Sequence, residues 1–381
     1  MRAQRVGMFV CPMRAPDDVA GLERLLDTRV APEHVVALVG KTEGTGLHND
    51  WGRAVADHAL RAALAERLGL TPEAVARRVV VVLSGGTPGV LTPHVTVITR
   101  EWLQSERPPA GDGRLVAGIA ASAPITPEEI GRVGQIEKVA AAVRQAAEDA
   151  GVTDPKDVHL AMVKAPTLTP AGVADAEARG HTVVTRDLGI GEYGAVCFSN
   201  DASALGVAVA LGEVPADAVA DDVVRRDWSL YSEVAVTSAA GEKRHAEVLL
   251  LANSAASRSD LRVGHAVMRD LIDADGVKAA LRAAGLSFAC CPSGEQRQRI
   301  VQVFAKACLP GSDLLRGQRI TLLDDHDAFH VAKALGGELV ATVTGHTAVF
   351  VSGGERNSHQ GPPGGNPVAV VVRAGPTAGG A

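Results

Sequence analysis

The chain has 381 residues, too many for one ordinary hydrophobic core and suited to two or three structural units. It is 46% hydrophobic but only 3% aromatic, so its core must be aliphatic, and a net charge of −6 without long basic runs argues against nucleic acid as a partner. No run of about 18 apolar residues occurs, the start lacks a signal-like apolar stretch, and the five cysteines (Cys11, Cys197, Cys290, Cys291, Cys308) lack zinc spacing, which points to a soluble, cytoplasmic protein with no membrane partner.

Taken in order, the pattern predicts three copies of one α+β unit. Unit one spans residues 1–107. A strand at 6–10 and a helix at 19–26 precede a strand at 34–39, which ends at Gly40-Lys41-Thr42-Glu43-Gly44. Asn49-Asp50-Trp51-Gly52-Arg53 opens a helix at 54–68, with Asp50 as its cap. A helix at 72–78 leads into the run Val79-Val80-Val81-Val82-Leu83, then Ser84-Gly85-Gly86, and a strand at 95–99 closes the unit. Residues 108–113 read as a linker.

Unit two spans 112–252. Its elements are a strand at 114–121, a helix at 127–150, a strand at 158–164 ending in Lys164, a helix at 202–211, a strand at 234–241 that holds Ser238, and a closing strand at 247–252. An insertion at 212–232 lengthens it. Unit three spans 256–373. A strand at 300–306 ends in Lys306, a helix at 328–335 is stopped by Gly336-Gly337, and the segments 339–344 and 347–351 lead to Ser352-Gly353-Gly354. A strand at 368–372 closes it, and the tail 374–381 reads as disordered.

Each unit thus reads strand, helix, strand–Lys, helix, strand–Ser, strand. A single Ser-Gly-Gly after a strand is a glycine turn. Repeated, with a lysine ending an earlier strand each time, it offers a hydroxyl beside bare N–H groups able to hold an oxyanion. Serine needs a base to become a nucleophile. Lysine serves when burial or neighbouring cations lower its pKa, and three lysines at one centre would do this to one another. Such a site suits a small, flat, carbonyl-rich ring.

These residues carry a resemblance. Gly40-Lys41-Thr42-Glu43-Gly44 with Asp50 and Arg53, Ser84-Gly85-Gly86-Thr87 with Pro93-His94, Val163-Lys164, and Ala202-Ser203-Ala204-Leu205-Gly206 are matching stretches. The most specific runs from Gly345-His346-Thr347 through Ser352-Gly353-Gly354 to Gln360-Gly361-Pro362-Pro363-Gly364-Gly365. The chain resembles, over nearly its whole length, the cyanuric acid hydrolase and barbiturase family of ring-opening amidohydrolases. The resemblance implies three units around a pseudo-threefold axis, with strands forming a central barrel and helices outside. It implies three Ser–Lys dyads, three arginines around one pocket, and a homotetramer.

It further implies Ser238 as nucleophile and Lys164 as its base, with Ala239 in the turn that follows. Ser84 with Gly85, and Ser352 with Gly353, would bind the other ring carbonyls, and Lys41 and Lys306 would tune charge. No cofactor is needed for catalysis. A structural cation, Mg or Ca, would sit near the C-terminal loop on Gln360, Gly361, Pro362, Gly365 and Glu355.

The chain departs from the family's pattern at two arginines. Arg53 matches the first, but Asn200 and Lys333 (or His330) stand where the others are expected. Arg356-Asn357-Ser358 is inserted before His359, and the loop after Lys306, which should lend the cation a glutamate, is shorter and holds Asp313 instead. The leading expectation is hydrolysis of a small cyclic imide or ureide. The alternatives are a less symmetric ring, such as a barbiturate or a natural-product lactam, and a non-catalytic ligand-binding homologue.

Overall fold

The computed structural model describes residues 2–46, 50–104 and 113–375. Asn49, most of the expected linker and the tail beyond Gly375 lie outside them. The first segment holds β1 (Arg2–Pro12), α1 (Ala20–Thr28), β2 (Val35–Thr42), α2 (Trp51–Leu68), α3 (Pro72–Ala76), β3 (Val80–Gly85) and β4 (His94–Gln104). The second holds β5 (Arg114–Ala121), α4 (Val133–Ala150), β6 (Val158–Pro166), α5 (Pro170–Ala178), α6 (Ala195–Leu211), β7 (Ala235–Ala240) and β8 (Glu247–Ser254). The third holds β9 (Leu261–Met268), α7 (Ala274–Ala283), α8 (Gly294–Gln298), β10 (Ile300–Cys308), a short ribbon of β11 (Leu314–Leu315) and β12 (Gln318–Arg319), α9 (Ala328–Thr344), β13 (Phe350–Gly354) and β14 (Asn366–Arg373).

The strands form three four-stranded sheets with one topology: β1-β4-β2-β3, β5-β8-β6-β7 and β9-β14-β10-β13. In each, the two strands at one end are parallel and joined by a helical crossover, and the remaining pairings are antiparallel. The sheets are separate and open. This corrects the expected barrel: no strand pairing joins one sheet to the next among the described strands, because each sheet ends in its own edge strands; side chains do bond across, as Lys306 of β10 does to the Thr237 carbonyl of β7.

Burial explains what holds the sheets together. One face of each sheet meets its own helices. Leu22, Leu60 and Leu64 cover the first sheet, Val139, Val143 and Val207 the second, and Val277, Leu281 and Val340 the third. The other faces share one apolar core, to which Met8 and Val39, Met162 and Leu249, and Phe304 and Val371 all contribute. This is why β2 and β3 are buried along their whole length and read as continuous apolar runs rather than alternating ones.

Helix boundaries account for the differences from the sequence pattern. Helices α2, α4, α6 and α9 each end on a left-handed glycine: Gly69, Gly151, Gly212 and Gly345. Gly336-Gly337 does not stop α9, which runs on to Thr344, so the segment 339–344 is helical. Those glycines serve packing instead. A Cβ at Gly336 would lie 2.7 Å from that of Ala307, and one at Gly337 would lie 2.8 Å from Leu91. α6 starts at Ala195, earlier than expected, and α4 starts at Val133, after a short 3-10 turn and the left-handed Gly131. β9 and α7 occupy a stretch that the pattern left unassigned.

Candidate active site

Identical register places the three lysines. On each parallel pair, the lysine of one strand stands directly opposite the serine of the other: Lys41 with Ser84, Lys164 with Ser238, and Lys306 with Ser352. Lys41 Nζ lies 3.0 Å from Ser84 Oγ, Lys164 Nζ 3.2 Å from Ser238 Oγ, and Lys306 Nζ 3.3 Å from Ser352 Oγ. A one-residue slip would turn each pair to the wrong face, so the apolar alternatives on either side fix the geometry.

The three serines open onto one cavity. Its wall includes Arg53, Ser84 and Gly85 from the first segment; Lys164, Asn200, Ser238 and Ala239 from the second; and Lys333, Ser352 and Gly353 from the third. Every expected substrate-binding residue except Lys41 and Lys306 lines it. Those two lysines are fully buried and donate from behind, Lys41 to Ser84 and the Gly85 carbonyl, Lys306 to Ser352 and the Thr237 carbonyl. Ser84 and Ser352 are 7% and 3% exposed, whereas Ser238 is half-buried and so the most accessible of the three hydroxyls.

The helix residues expected in place of three arginines stand on α2, α6 and α9, the helices that cover these sheets. Arg53 reaches from α2 to the second segment, donating Nε–H to Glu242 Oε1 at 2.9 Å, and lies 3.6 Å from Asp50. Lys333 reaches from α9 to the first, donating to the Gly85 carbonyl at 3.0 Å. Asn200 on α6 is 7% exposed, and its Oδ1 has no hydrogen-bond partner. His330 sits at the rim, bonded to Asp327 and to the Thr45 carbonyl, so Lys333 is the residue at this position.

Burial governs the electrostatics. It is the largest cause holding Lys41 well below the ordinary lysine value, joined by the charges of Lys333, Lys164 and Lys306 and opposed by Asp50. Burial also brings Lys164 well down, with Arg53 and Lys243 assisting and Glu242 and Asp50 opposing. Lys306 is lowered by burial, against the pull of Cys308 and Asp201. Burial, then the Lys306 charge, brings Lys333 down to about 8. Neutral lysines beside serine hydroxyls can accept a proton at neutral pH.

Two groups of residues escaped the sequence pattern. Glu242 follows the serine strand β7 and pairs with an arginine 189 positions earlier in the chain, a separation no local pattern carries. Asp201, next to Asn200, is buried and ion-paired with Arg225 of the 212–232 insertion. Its Oδ1 accepts from Ser358 Oγ at 2.6 Å and from the His359 N–H at 3.1 Å. The insertion after α6 and the insertion before His359 are therefore one buried network. The adjacent aspartate in Ser199-Asn200-Asp201 was the available signal.

The C-terminal loop expected to hold a cation braces the site. Gln360 Oε1 accepts the Thr237 N–H at 2.7 Å, one residue before Ser238, and its Nε2 donates to Ser358. The Gly361 N–H donates to the Ser232 carbonyl, and the Gly365 N–H to the Pro362 carbonyl at 2.7 Å. Burial pushes the half-buried Glu355 carboxyl up, against Arg225 and Arg356.

The chain is similar over nearly its whole length to known proteins. A family model described as amidohydrolase ring-opening protein matches residues 7–373. The chain is 58% identical over 376 residues to a cyclic amide hydrolase of Pseudofrankia inefficax, covering 98% of this chain and 96% of that one. It is 47% identical over 379 residues to a cyanuric acid amidohydrolase of Bradyrhizobium diazoefficiens, covering 98% and 99%. A solved cyanuric acid hydrolase structure superposes with a TM-score of 0.91 at 42% identity, covering 98% of this chain and all of that one. The chain belongs to the amidohydrolase ring-opening protein family.

Proposed function

We propose that this protein hydrolyses a C–N bond of a small cyclic amide, imide or ureide, with Ser238 as nucleophile and Lys164 as its base. The observation that carries this reading is the single cavity on which Lys164 and all three serines converge. Ser238 is chosen because it is the most accessible serine and because Lys164 is the one dyad lysine on the cavity wall.

In this reading neutral Lys164 takes the Ser238 proton as Oγ bonds to a ring carbonyl carbon. The oxyanion is held by N–H groups of the Ala239-Ala240-Gly241 segment. The C–N bond then breaks, and the lysine returns its proton to the departing nitrogen. Water, deprotonated by the same lysine, attacks the acyl-serine; the acyl C–Oγ bond breaks, the lysine returns the proton to Ser238 Oγ, and the opened chain leaves with a free carboxyl end. Ser84 with Gly85 and Ser352 with Gly353 hold the other polar edges, and Arg53, Asn200 and Lys333 orient them. No step needs a metal ion.

The matching sheets and their shared core support a pseudo-threefold axis relating units at 1–107, 112–252 and 256–373. A Mg or Ca ion held by Glu355 and the carbonyls of Gln360, Gly361, Pro362 and Gly365 is a structural proposal, supported by a half-buried carboxyl that a cation would neutralise. Elemental analysis before and after chelation tests it. A homotetramer is proposed as the assembly. Trp51 and Val55, exposed one turn apart on α2, suit a covered face, and light scattering tests it. No helix among the described residues is long and apolar enough to cross a membrane.

The experiment for the reaction is incubation of pure protein with cyanuric acid, barbituric acid, glutarimide and dihydrouracil, reading ring opening by mass spectrometry. Opening of at least one ring, abolished by Ser238→Ala, supports the reading. Binding without opening of any ring would favour the ligand-binding homologue.

A further inference from the structure

Two histidines face each other where β6 of the second sheet meets β9 of the third. The Nδ1 atoms of His159 and His265 stand 2.8 Å apart, with ring centres 5.0 Å apart and ring planes tilted by 52°. Neither residue lines the active-site cavity. His159 occupies the irregularity in the β6–β8 register, between Val158 and Leu160.

The repeated topology supplies the comparison. The same irregularity falls at Val36 in β2 and at Val301 in β10. His265 is matched by Val10 of β1 and Ile119 of β5, because each stands in line, through the middle strand, with Phe304, Val39 and Met162 of the lysine strands. Val10 and Val301 line one cleft, and Val36 and Ile119 belong to the shared apolar core. Every counterpart of the two histidines is therefore aliphatic, and packing between sheets does not call for an imidazole pair.

The pair has the chemistry of a chelate. Burial brings His159 down to about 4 and also lowers His265, so both rings are neutral at neutral pH. Neutral rings at this distance share one hydrogen, one Nδ1 donating and the other accepting. Moving that hydrogen to Nε2 of its own ring frees both Nδ1 lone pairs and leaves each ring neutral. Two nitrogens each about 2.0 Å from one ion lie about 2.8 Å apart at a right angle and about 3.3 Å apart at the tetrahedral angle. The observed separation fits the right angle of a tetragonal ion, Cu(II) or Ni(II), better than that of tetrahedral Zn(II). His265 opens on a surface cleft of about 270 Å³ that also holds Glu213, Glu233 and Lys156, which gives an ion a way in. The charge of Glu233 acts on His265 in favour of a cation, and that of Arg262 acts on His159 against one. Among the described residues no three His, Cys, Asp or Glu side chains gather on one point, so solvent completes the coordination.

We propose that His159 and His265 form a two-imidazole site for a tetragonal divalent ion of the Cu(II) or Ni(II) class, which clamps β6 of the second sheet to β9 of the third. The site is independent of the ring-opening reaction.

The test uses the full chain, without an affinity tag, carrying Cys290→Ser and Cys291→Ser to remove the exposed thiols as competing ligands. It is titrated with Cu(II) buffered by glycine. Pulsed electron paramagnetic resonance counts the coordinated imidazoles, and thermal unfolding reads the clamp. The expected result is one Cu(II) per chain on two imidazoles, with a raised Tm, since the ion binds the folded chain. His159→Val and His265→Val install the side chain found at the counterparts Val36, Val301 and Val10. Each should lower Cu(II) affinity at least about tenfold and cancel the rise in Tm. Affinity unchanged in both variants overturns the proposal, because the ion then sits elsewhere. If neither variant folds, the imidazole count on the parent chain decides, and a count below two overturns it.

Discussion

Arg53 and Glu242 form a hydrogen-bonded ion pair at 2.9 Å between the helix of the first sheet and the loop after the serine strand of the second. The pair sets the charge around Lys164. Arg53 pushes the Lys164 pKa down and Glu242 pushes it up. Burial raises the Glu242 carboxyl, but the Arg53 hydrogen bond and charge outweigh it and hold that group below its ordinary value. Two substitutions should therefore act in opposite directions. Glu242→Gln should shift the acid limb of kcat/KM to lower pH by about one unit, and Arg53→Gln should shift it to higher pH by a similar amount, the low end for a charge a few ångströms away. A pH–rate profile of each variant checks this. Shifts in the same direction would remove Lys164 as the titrating base.

The dyad assignment predicts an uneven response among the three serines. Ser238→Ala removes the nucleophile, and Lys164→Arg keeps the charge but removes the base. Each should lower kcat by at least about a hundredfold with the fold unchanged by circular dichroism. Ser84→Ala and Ser352→Ala should raise KM more than they lower kcat. If Ser238→Ala retains near-wild-type turnover, the dyad of Ser84 and Lys41 takes its place.

Acid stability should report on His94. Burial, with the Lys41 charge assisting, brings this histidine from 6.5 to about 4. Between those values the unfolded chain binds a proton that the folded chain does not. Stability is therefore lost as pH falls from 6.5 toward 4, by about 3 kcal/mol for a shift of this size. His159, brought to about 4 chiefly by burial, acts in the same window. Denaturant titrations across pH 4 to 7 should show a shallower slope for His94→Gln, roughly one bound proton fewer. An unchanged slope would show that His94 does not titrate on unfolding.

Gly118 should tolerate no side chain. A Cβ there would lie 1.9 Å from the Ala146 carbonyl oxygen of α4, a backbone atom that cannot swing aside. Gly264 meets the same constraint against α7, with the Ala284 nitrogen 2.2 Å away. Gly118→Ala should cost at least about 2 kcal/mol of stability in urea unfolding, within the range for overpacking a core. A loss below about 0.5 kcal/mol, the size of an ordinary surface change, would mean that α4 stands further from β5.

The strands and their chemistry were legible because the signals are local. Apolar β-branched runs mark the buried strands, and a lysine or serine at the strand end breaks the run where the cavity begins. Repetition then linked three weak signals. The helix ends were less legible. Gly336-Gly337 looks like a stop signal, and only the neighbours Ala307 and Leu91 reveal it as a packing site. Asn200 and Lys333 could be placed at the pocket from the sequence, but not what their side chains meet.

By itself, then, the sequence determined the three lysines and three serines at strand ends and the chain order of the strands that carry them, since an apolar run and the residue that ends it are local signals. The tertiary structure decided how the sheets meet and what faces the ring. It made three open sheets around a common apolar core rather than one barrel. It joined Arg53 to Glu242 and Asp201 to Arg225, and brought Lys164 and the three serines to one cavity. Those contacts join residues far apart in sequence, where a charge or a methyl group acquires its energy only from the partner that folding brings to it.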